Sequence, residues 1–108
     1  MRRGEVWWVD FDPSVGGEIR KVRPAIIISN DAANFALNRI QVVPLTSNAD
    51  RLYPSEARVN IDGKISKAMA DQLATVSKLR LKTKLADITK SEMLELEKAV
   101  KVQLGLKL

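Results

Sequence analysis

The chain has 108 residues, of which 45% are hydrophobic and 29% charged, so length and composition predict a single globular domain over residues 1–108. It contains no cysteine and no histidine, which excludes disulfides, imidazole or thiolate metal sites, and catalytic triads built on histidine. The net charge of +5 lies in residues 1–84, which carry 14 Lys and Arg against 9 Asp and Glu. Such a basic body suits a polyanionic partner, although a modest positive charge also serves solubility alone.

The small size of the domain bears on its assembly and location. A domain of this length without disulfides often gains stability from a second subunit, so we expect a homodimer. No apolar run in the sequence is long enough to span a bilayer, and no apolar signal region precedes the first predicted strand. We therefore expect a cytoplasmic protein with no membrane segment.

Two strands are predicted near the amino terminus. Glu5–Phe11 is rich in aromatic and β-branched residues and stops at Asp12-Pro13, a turn signal. A glycine-containing loop, Val15–Lys21, follows. Pro24–Ser29 is a short and nearly continuous apolar run, which is typical of a strand buried on both faces.

The next predicted elements are a short helix, a third strand and a hairpin. Asn30-Asp31 can cap a brief helix that reaches Leu37. Ile40–Thr46 predicts a strand, and its Pro44 favours an edge, a bulge or the end of the strand because proline cannot donate to a β-ladder. Arg58–Ile61 followed by Asp62-Gly63 predicts a strand that enters a hairpin turn.

The carboxy-terminal part contains one ambiguous stretch and one clear helix. Within Ser66–Leu85, residues 68–74 have helical propensity while residues 78–82 alternate with period two, and the sequence does not decide between them. Thr89 and Glu92 form a capping box, and an amphipathic helix is predicted behind it with the apolar stripe Met93, Leu96, Val100 and Leu104. The fold class is thus mainly β with short helices (α+β), a small β-barrel with a carboxy-terminal amphipathic helix.

Polar side chains flank the second and third predicted strands. If these strands pair antiparallel, Arg23 at the start of one lies near Thr46 at the end of the other. Arginine binds phosphate bidentately and stays charged, so this pair suits a phosphodiester on which negative charge develops. RNA carries its own nucleophile, the 2′-hydroxyl, so cleavage requires in-line geometry, charge stabilisation and proton transfer but neither a metal nor a cofactor.

Further residues are candidates for the same chemistry. Glu18 is a candidate base or a residue that orients the arginine, and Trp7 or Trp8 could stack on bases. Lys78, Arg80, Lys82 and Lys84 could form a phosphate-binding row if their segment is extended. The candidates for RNA binding are Arg20, Lys21, Ser47, Asn48, Asp71, Gln72 and Arg80. Each has a structural alternative: a solvated charge, turn chemistry, or a side chain that satisfies buried backbone groups.

Four motifs in order resemble one known family across essentially the whole chain. They are Gly4–Pro13 (GEVWWVDFDP), Arg23–Asp31 (RPAIIISND), Pro44–Ser47 (PLTS) and Ser66–Gln72 (SKAMADQ), the last followed by Leu79–Leu81. Any one of them is a weak signal, but four in sequence within 108 residues are specific. The chain resembles the MazF/PemK toxins of type II toxin–antitoxin systems.

This resemblance implies a fold, an activity and partners. The family has an SH3-like barrel, works as a dimer and cuts single-stranded RNA at short sequences, leaving 2′,3′-cyclic phosphate and 5′-hydroxyl ends. By motif its catalytic arginine and threonine fall on Arg23 and Thr46 and its loop glutamate on Glu18. Its substrate contacts fall on Ser47, Asp71 and Gln72. Its antitoxins lay an acidic tail along the dimer. Some relatives carry a histidine in the first loop, and this chain has none.

Two other functions remain as alternatives at the level of sequence. A toxin of the CcdB type shares the fold but binds DNA gyrase, and it is associated with a Trp-Gly-Ile ending. This chain ends in Leu106-Lys107-Leu108 instead. The second alternative is a non-catalytic RNA-binding barrel in which Arg23 only contacts phosphate.

Overall fold

The chain folds mainly into β-strands. The computed structural model describes residues 1–13 and 15–108. Within them the chain forms seven strands, two α-helices and two short 3-10 helices. The elements in chain order are β1 (Glu5–Asp10), β2 (Val22–Ile27), α1 (Asp31–Ala36), β3 (Arg39–Thr46), β4 (Glu56–Ile61), β5 (Lys64–Met69), a 3-10 helix (Ala70–Gln72), β6 (Ala74–Ser77), a second 3-10 helix (Lys78–Arg80), β7 (Leu81–Asp87) and α2 (Lys90–Leu104).

The strands make one antiparallel sheet in the order β4-β5-β3-β2-β1-β7, and β6 pairs with β3 off this path. The arrangement is a half-barrel with two helices, one of them carboxy-terminal, and it confirms the predicted fold class. β3 lies at its centre. Its first half, Arg39–Val42, pairs with β6, while Leu45 and Thr46 pair with β5.

Apolar side chains are buried in two clusters. The larger cluster lies between the sheet and α2, which contributes the buried residues Leu96 and Ala99. The smaller cluster is centred on Val9, Ala25, Ile27 and Val42. Because Ile26 belongs to the first cluster while its neighbours belong to the second, β2 is buried on both faces, as its continuous apolar run predicts.

The local signals for turns and caps are confirmed. Asn30 caps α1, where its side-chain oxygen accepts a hydrogen bond from the Ala33 backbone N–H at 2.8 Å. The two-residue turn Asp62-Gly63 joins β4 to β5 with φ angles of 51° and 83°, the left-handed pair that such a tight hairpin requires.

The ambiguous stretch is mainly extended, although residues 70–72 and 78–80 form two short 3-10 helices. Strand pairing with β3 and β1 here overrides local helical propensity. Pro44 is not on an edge strand, because β3 has partners on both sides. It lies instead where the partner of β3 changes from β6 to β5, so its missing N–H coincides with an interruption of the ladder.

The carboxy-terminal helix begins with the predicted capping box between Thr89 and Glu92. The predicted apolar stripe is confirmed for Leu96, which is buried, and for Met93 and Val100, which are partly buried against the same cluster. It is wrong for Leu104, which is 53% exposed because it is the last residue of the helix and lies beyond the core. Gly105 ends the helix in the left-handed conformation. Neither helix in the described residues is long and apolar enough to cross a membrane.

Glu5 joins the amino terminus to β7 through a nearly buried carboxylate. The carboxylate accepts hydrogen bonds from Trp7 Nε1 and the Arg2 backbone N–H, both at 2.9 Å, and lies 3.4 Å from Lys84 Nζ. Burial by itself raises the pKa of Glu5, but these hydrogen bonds and the lysine charge together outweigh it and lower the pKa below its ordinary value of 4.5. The carboxylate form is therefore preferred in the folded state.

We expect Glu5→Gln to lower the free energy of unfolding by about 1–2 kcal/mol at neutral pH, because charged hydrogen bonds are replaced by neutral ones. A lowered folded-state pKa stabilises the protein above the ordinary pKa of 4.5, and that contribution is lost as pH falls through the folded-state pKa. Urea unfolding of both proteins from pH 7 to pH 3 should therefore show a gap that closes below about pH 4.5.

Glu95→Gln is the matched control. Glu95 and Lys98 form an ion pair at 3.2 Å whose side chains are 62% and 67% exposed, so this change should have little effect on stability. A gap for Glu5→Gln that stays constant across the pH range would contradict the proposed linkage.

Candidate active site

One cavity brings together the principal residues predicted from sequence. It has a volume of about 440 Å³ and lies where β2 begins, β3 ends and the β4–β5 hairpin turns. Arg23, Thr46 and Ser47 all line it. Its full lining is Trp8, Arg23, Pro24, Leu45, Thr46, Ser47, Ile61, Asp62, Lys64, Ser66 and Leu85.

Strand register explains why Arg23 and Thr46 meet. β2 and β3 pair antiparallel, with Ala25 opposite Pro44 and Ile27 opposite Val42. If this register is continued two positions beyond the Ala25–Pro44 pair, Arg23 lies opposite Thr46. Two segments that are 23 positions apart in sequence therefore deliver a guanidinium and a hydroxyl to one cavity.

The hydrogen bonds of this pair leave capacity for a ligand. Arg23 Nε donates to the Arg20 carbonyl at 3.1 Å, and Thr46 Oγ1 accepts from the Asn48 backbone N–H at 3.3 Å. Among the described residues, no hydrogen bond or ion pair involves the two terminal guanidinium nitrogens of Arg23. The chain thus holds the arginine by one nitrogen, and its phosphate-binding fork stays open.

A second cavity, of about 390 Å³, contains a different group of the predicted residues. Its lining is Phe11, Glu18, Ile19, Asp71, Gln72, Leu73, Ala74, Thr75, Val76 and Arg80. The structure therefore separates Glu18, Asp71, Gln72 and Arg80 from Arg23 and Thr46. It does not bring the proposed glutamate base into the cavity of the arginine and threonine.

Side chains in the second cavity anchor the loop between β1 and β2. Gln72 accepts a hydrogen bond from the Ile19 N–H and donates to the Gly17 carbonyl, both at 3.2 Å. Arg80 Nη1 donates to the carbonyls of Asp10, at 3.0 Å, and Asp12. For Gln72 these contacts match the structural alternative, in which it satisfies backbone groups. Arg80 also donates to backbone carbonyls, a role that differs from the solvated strand face considered for it.

Glu18 has a local partner in the same loop. Its carboxylate accepts a hydrogen bond from the Val15 N–H at 2.9 Å, and its own N–H donates to the Val15 carbonyl at 3.2 Å. The glutamate thus closes a turn within the loop. Its side chain is exposed, and in this conformation it serves the backbone of the loop.

Arg20, Lys21 and Asn48 are exposed and line neither cavity. Arg20 Nη2 donates to the Gly16 carbonyl at 3.4 Å. Lys21 has a φ of 64°, and its N–H donates to Asp12 Oδ1 at 3.0 Å, so this residue makes the bend that leads into β2.

The hypothetical phosphate-binding row is wrong as a single extended face. Lys78 and Arg80 lie on a 3-10 helix, whereas Lys82 and Lys84 lie on β7. Lys84 is also engaged by Asp87 at 3.0 Å. Period-two alternation alone could not reveal that a helical turn interrupts the segment.

Asp62, Lys64 and Ser66 also line the cavity, and no pattern in the sequence predicts them as site residues. The signal for the hairpin was present in Asp62-Gly63, but only the pairing of β5 with β3 carries its tip to the cavity. Trp8, a candidate for base stacking, lies at this cavity with 37% of its surface exposed. Its neighbour Trp7 packs against the smaller core cluster.

No group of three or more metal-binding side chains occurs in the part of the chain that the structure describes. The arrangement that the first cavity does offer is a fixed guanidinium beside hydroxyl groups, with an indole and a lysine at its margin. Such a set can bind an anionic phosphodiester and stabilise additional negative charge on it.

Known proteins similar to this chain align with almost its whole length, and two of them are named endoribonucleases. Endoribonuclease MazF9 of Mycobacterium tuberculosis is 36% identical over 118 aligned positions, covering 98% of both chains. Endoribonuclease MazF of Staphylococcus epidermidis is 33% identical and covers 98% of this chain and 92% of its own.

Solved structures agree with these relatives. The crystal structure of MazF from Deinococcus radiodurans superposes with a TM-score of 0.87 at 27% identity, covering 98% of this chain and 97% of the other. A mycobacterial endoribonuclease in complex with its cognate antitoxin superposes with a TM-score of 0.84 at 25% identity, covering 100% and 98% of the two chains.

The family described as PemK-like, MazF-like toxin of type II toxin–antitoxin system matches residues 2–104. This match spans both cavities, the sheet and α2. It confirms the resemblance drawn from the four sequence motifs. The chain belongs to the PemK/MazF toxin family.

Proposed function

We propose that this protein is the toxin of a type II toxin–antitoxin pair and acts in the cytoplasm as an endoribonuclease on single-stranded RNA. The observation that carries the proposal is the cavity that holds Arg23 and Thr46 together. Its relatives named endoribonucleases align with this chain from end to end, which supports the activity class. Cleavage of messenger RNA would stop translation and growth.

The proposed reaction uses the 2′-hydroxyl of the substrate. Its oxygen attacks the adjacent phosphorus, the bond from phosphorus to O5′ breaks, and the products are a 2′,3′-cyclic phosphate and a 5′-hydroxyl. A proton leaves the 2′-hydroxyl and a proton is delivered to O5′. Because RNA supplies the nucleophile, the protein's task is to align the attack and to stabilise charge on the phosphorus oxygens.

Arg23 and Thr46 have complementary roles in this proposal. The open fork of Arg23 binds the two non-bridging oxygens, on which negative charge increases in the transition state. Arginine does not release a proton near neutral pH, so it acts as an electrostatic clamp rather than as a general acid. Thr46 Oγ1, which accepts from the Asn48 N–H, retains its own proton to donate to a phosphate oxygen.

Neighbouring side chains would contact the substrate around the scissile phosphate. Ser47 follows Thr46 at the same cavity, and Trp8 offers a partly exposed indole on which an unpaired base can stack. Asp71 at the second cavity is exposed and is available to hydrogen-bond a base edge. Glu18, Gln72 and Arg80 act mainly by shaping the loop that borders the RNA.

The proposed partner is an antitoxin with an acidic segment. The excess of positive charge in residues 1–84 suits an acidic chain for the same reason that it suits RNA. RNA and the antitoxin would then compete for one basic surface. Occupation of that surface by the acidic segment would inhibit the toxin.

The proposed homodimer is supported by apolar side chains on neighbouring elements. Phe35 on α1 is 92% exposed and Leu79 is 87% exposed. The Lys78 N–H donates to the Asn38 carbonyl at 3.0 Å, and Phe35 and Lys78 line one cavity, so the two elements lie side by side. Large exposed apolar side chains grouped in this way favour a protein interface.

The first experiment incubates the purified toxin, free of antitoxin, with a long unstructured RNA in EDTA and maps the fragment ends. We expect discrete cuts with 5′-hydroxyl ends. Arg23→Lys keeps the charge but loses the bidentate fork, and Arg23→Ala loses both, so kcat should fall in both, by about 100- to 1,000-fold in the alanine variant.

Arg39→Ala is the control for nonspecific loss of positive charge, since Arg39 is exposed at the opposite end of β3 and should leave kcat within about twofold. A folded Arg23→Ala variant that still cleaves at the wild-type rate would remove Arg23 from the mechanism. Intact RNA with the wild-type toxin would refute the proposed activity.

Glu18→Gln tests whether the loop glutamate transfers a proton. Glutamine keeps an oxygen that accepts the Val15 N–H, so we expect less than about a threefold change in kcat at neutral pH and an unchanged pH profile. Removal of a general base would lower kcat by about 100-fold or more. A loss of that size, measured with the same RNA, would assign the base role to Glu18.

The dimer prediction is tested by sedimentation equilibrium. We expect a dimeric wild-type toxin and a shift towards monomer in the double variant Phe35→Ser/Leu79→Ser, because two apolar side chains leave the interface. Leu94→Ser on α2 is the matched control, since Leu94 is also exposed, at 59%. Equal dissociation of both variants would place the interface elsewhere.

A further inference from the structure

A buried lysine lies in the same cross-strand row as Thr46. Lys67 on β5 is only 9% exposed, and it pairs directly with Thr46 on β3 and with Arg58 on β4. Directly opposite residues of antiparallel strands project from the same face of a sheet. Thr46, Lys67 and Arg58 therefore form one row across three strands.

The two cations of this row hold the loop between β3 and β4, residues 47–55. Lys67 Nζ donates to the Arg51 carbonyl at 2.8 Å, and Arg58 Nη2 donates to the Ala49 carbonyl at 3.2 Å. This loop continues directly from Thr46 and Ser47. Its backbone is thus fixed to the sheet at two points just beyond the candidate catalytic threonine.

Glu56 and Tyr53 complete the anchor. Glu56 Oε1 accepts from Lys67 Nζ at 3.0 Å and from the Tyr53 N–H at 2.9 Å. The ammonium group also lies 5.5 Å from the centroid of the Tyr53 ring, within range of a cation–π interaction. With a loop carbonyl, a carboxylate and an aromatic face around it, the ammonium has little capacity left to bind a substrate phosphate.

We propose that Lys67 is a positioning residue for RNA cleavage, whose ammonium group fixes the loop after Thr46 and thereby holds the Thr46 hydroxyl in place. Thr46 depends on this loop because its Oγ1 accepts from the Asn48 N–H, which is itself part of the loop. A loose loop would let the hydroxyl rotate away from the phosphate. The proposal rests on the proposed endoribonuclease function.

The principal test is Lys67→Met, which removes the ammonium group and keeps the length of the side chain. A displacement of about 1 Å at a reacting group lowers rates by up to about 100-fold, so we expect kcat to fall by about 10- to 100-fold. KM should change by less than about threefold, because Lys67 makes no contact with RNA in this proposal. Amide hydrogen exchange of residues 48–53 should become faster.

The double variant Glu56→Gln/Lys67→Met separates positioning from stability. The single variant leaves Glu56 nearly buried without its cation, which lowers the unfolding temperature, and the double variant removes that unpaired charge. We expect stability to recover in the double variant while kcat stays low, because methionine cannot donate to the Arg51 carbonyl. Recovery of kcat together with stability would overturn the proposal.

A control variant and the KM of Lys67→Met distinguish positioning from other roles of Lys67. Lys98→Met removes a lysine from an exposed ion pair and should leave kcat, KM and loop exchange unchanged. A rise in KM at constant kcat for Lys67→Met would mean that Lys67 binds substrate, which contradicts positioning. If the wild-type protein cleaves no RNA, the proposed function fails, and the exchange of residues 48–53 still shows whether Lys67 orders the loop.

Discussion

Backbone pairing between β2 and β3 sets the register that, continued two residues beyond Ala25 and Pro44, brings Arg23 opposite Thr46. Side chains alternate between faces along a strand, so a slip of one residue would turn either group away from its partner. Burial opposes such a slip, because Ala25, Ile26 and Ile27 are fully enclosed in the two apolar clusters. Core packing and site geometry therefore depend on the same hydrogen-bonded ladder.

Several cations of this basic chain serve the fold rather than a polyanion. Arg3 donates to the Ile28 carbonyl at 2.9 Å and to Glu97 at 2.8 Å, which ties the amino terminus to α2. Arg80 and Lys67 each donate to a loop carbonyl, that of Asp12 and that of Arg51 respectively. These cations keep their charge, but their donors are occupied within the fold, so Arg23 is distinguished by its open fork rather than by its charge.

Local chemistry made the strands, the Asp62-Gly63 hairpin and the Thr89 cap predictable, and one antiparallel pairing sufficed to bring Arg23 to Thr46. The division of the candidates between two cavities was not predictable, because it depends on where residues 70–77 leave β5 and rejoin β3. The burial of Lys67 was equally hidden. A lysine in a strand ordinarily indicates a solvated face, and only its cross-strand neighbours supply Glu56 and a carbonyl.

The β1–β2 loop is anchored from outside by the side chains of Gln72 and Arg80, while residues 15–17 within it are exposed. Anchors of this kind depend on loop carbonyls and N–H groups, which are present whatever the loop sequence. Evolution can therefore exchange the exposed residues of the loop without dismantling the Arg23–Thr46 pair. Toxins on this scaffold could diverge in the RNA sequences they recognise while they retain one cleavage chemistry.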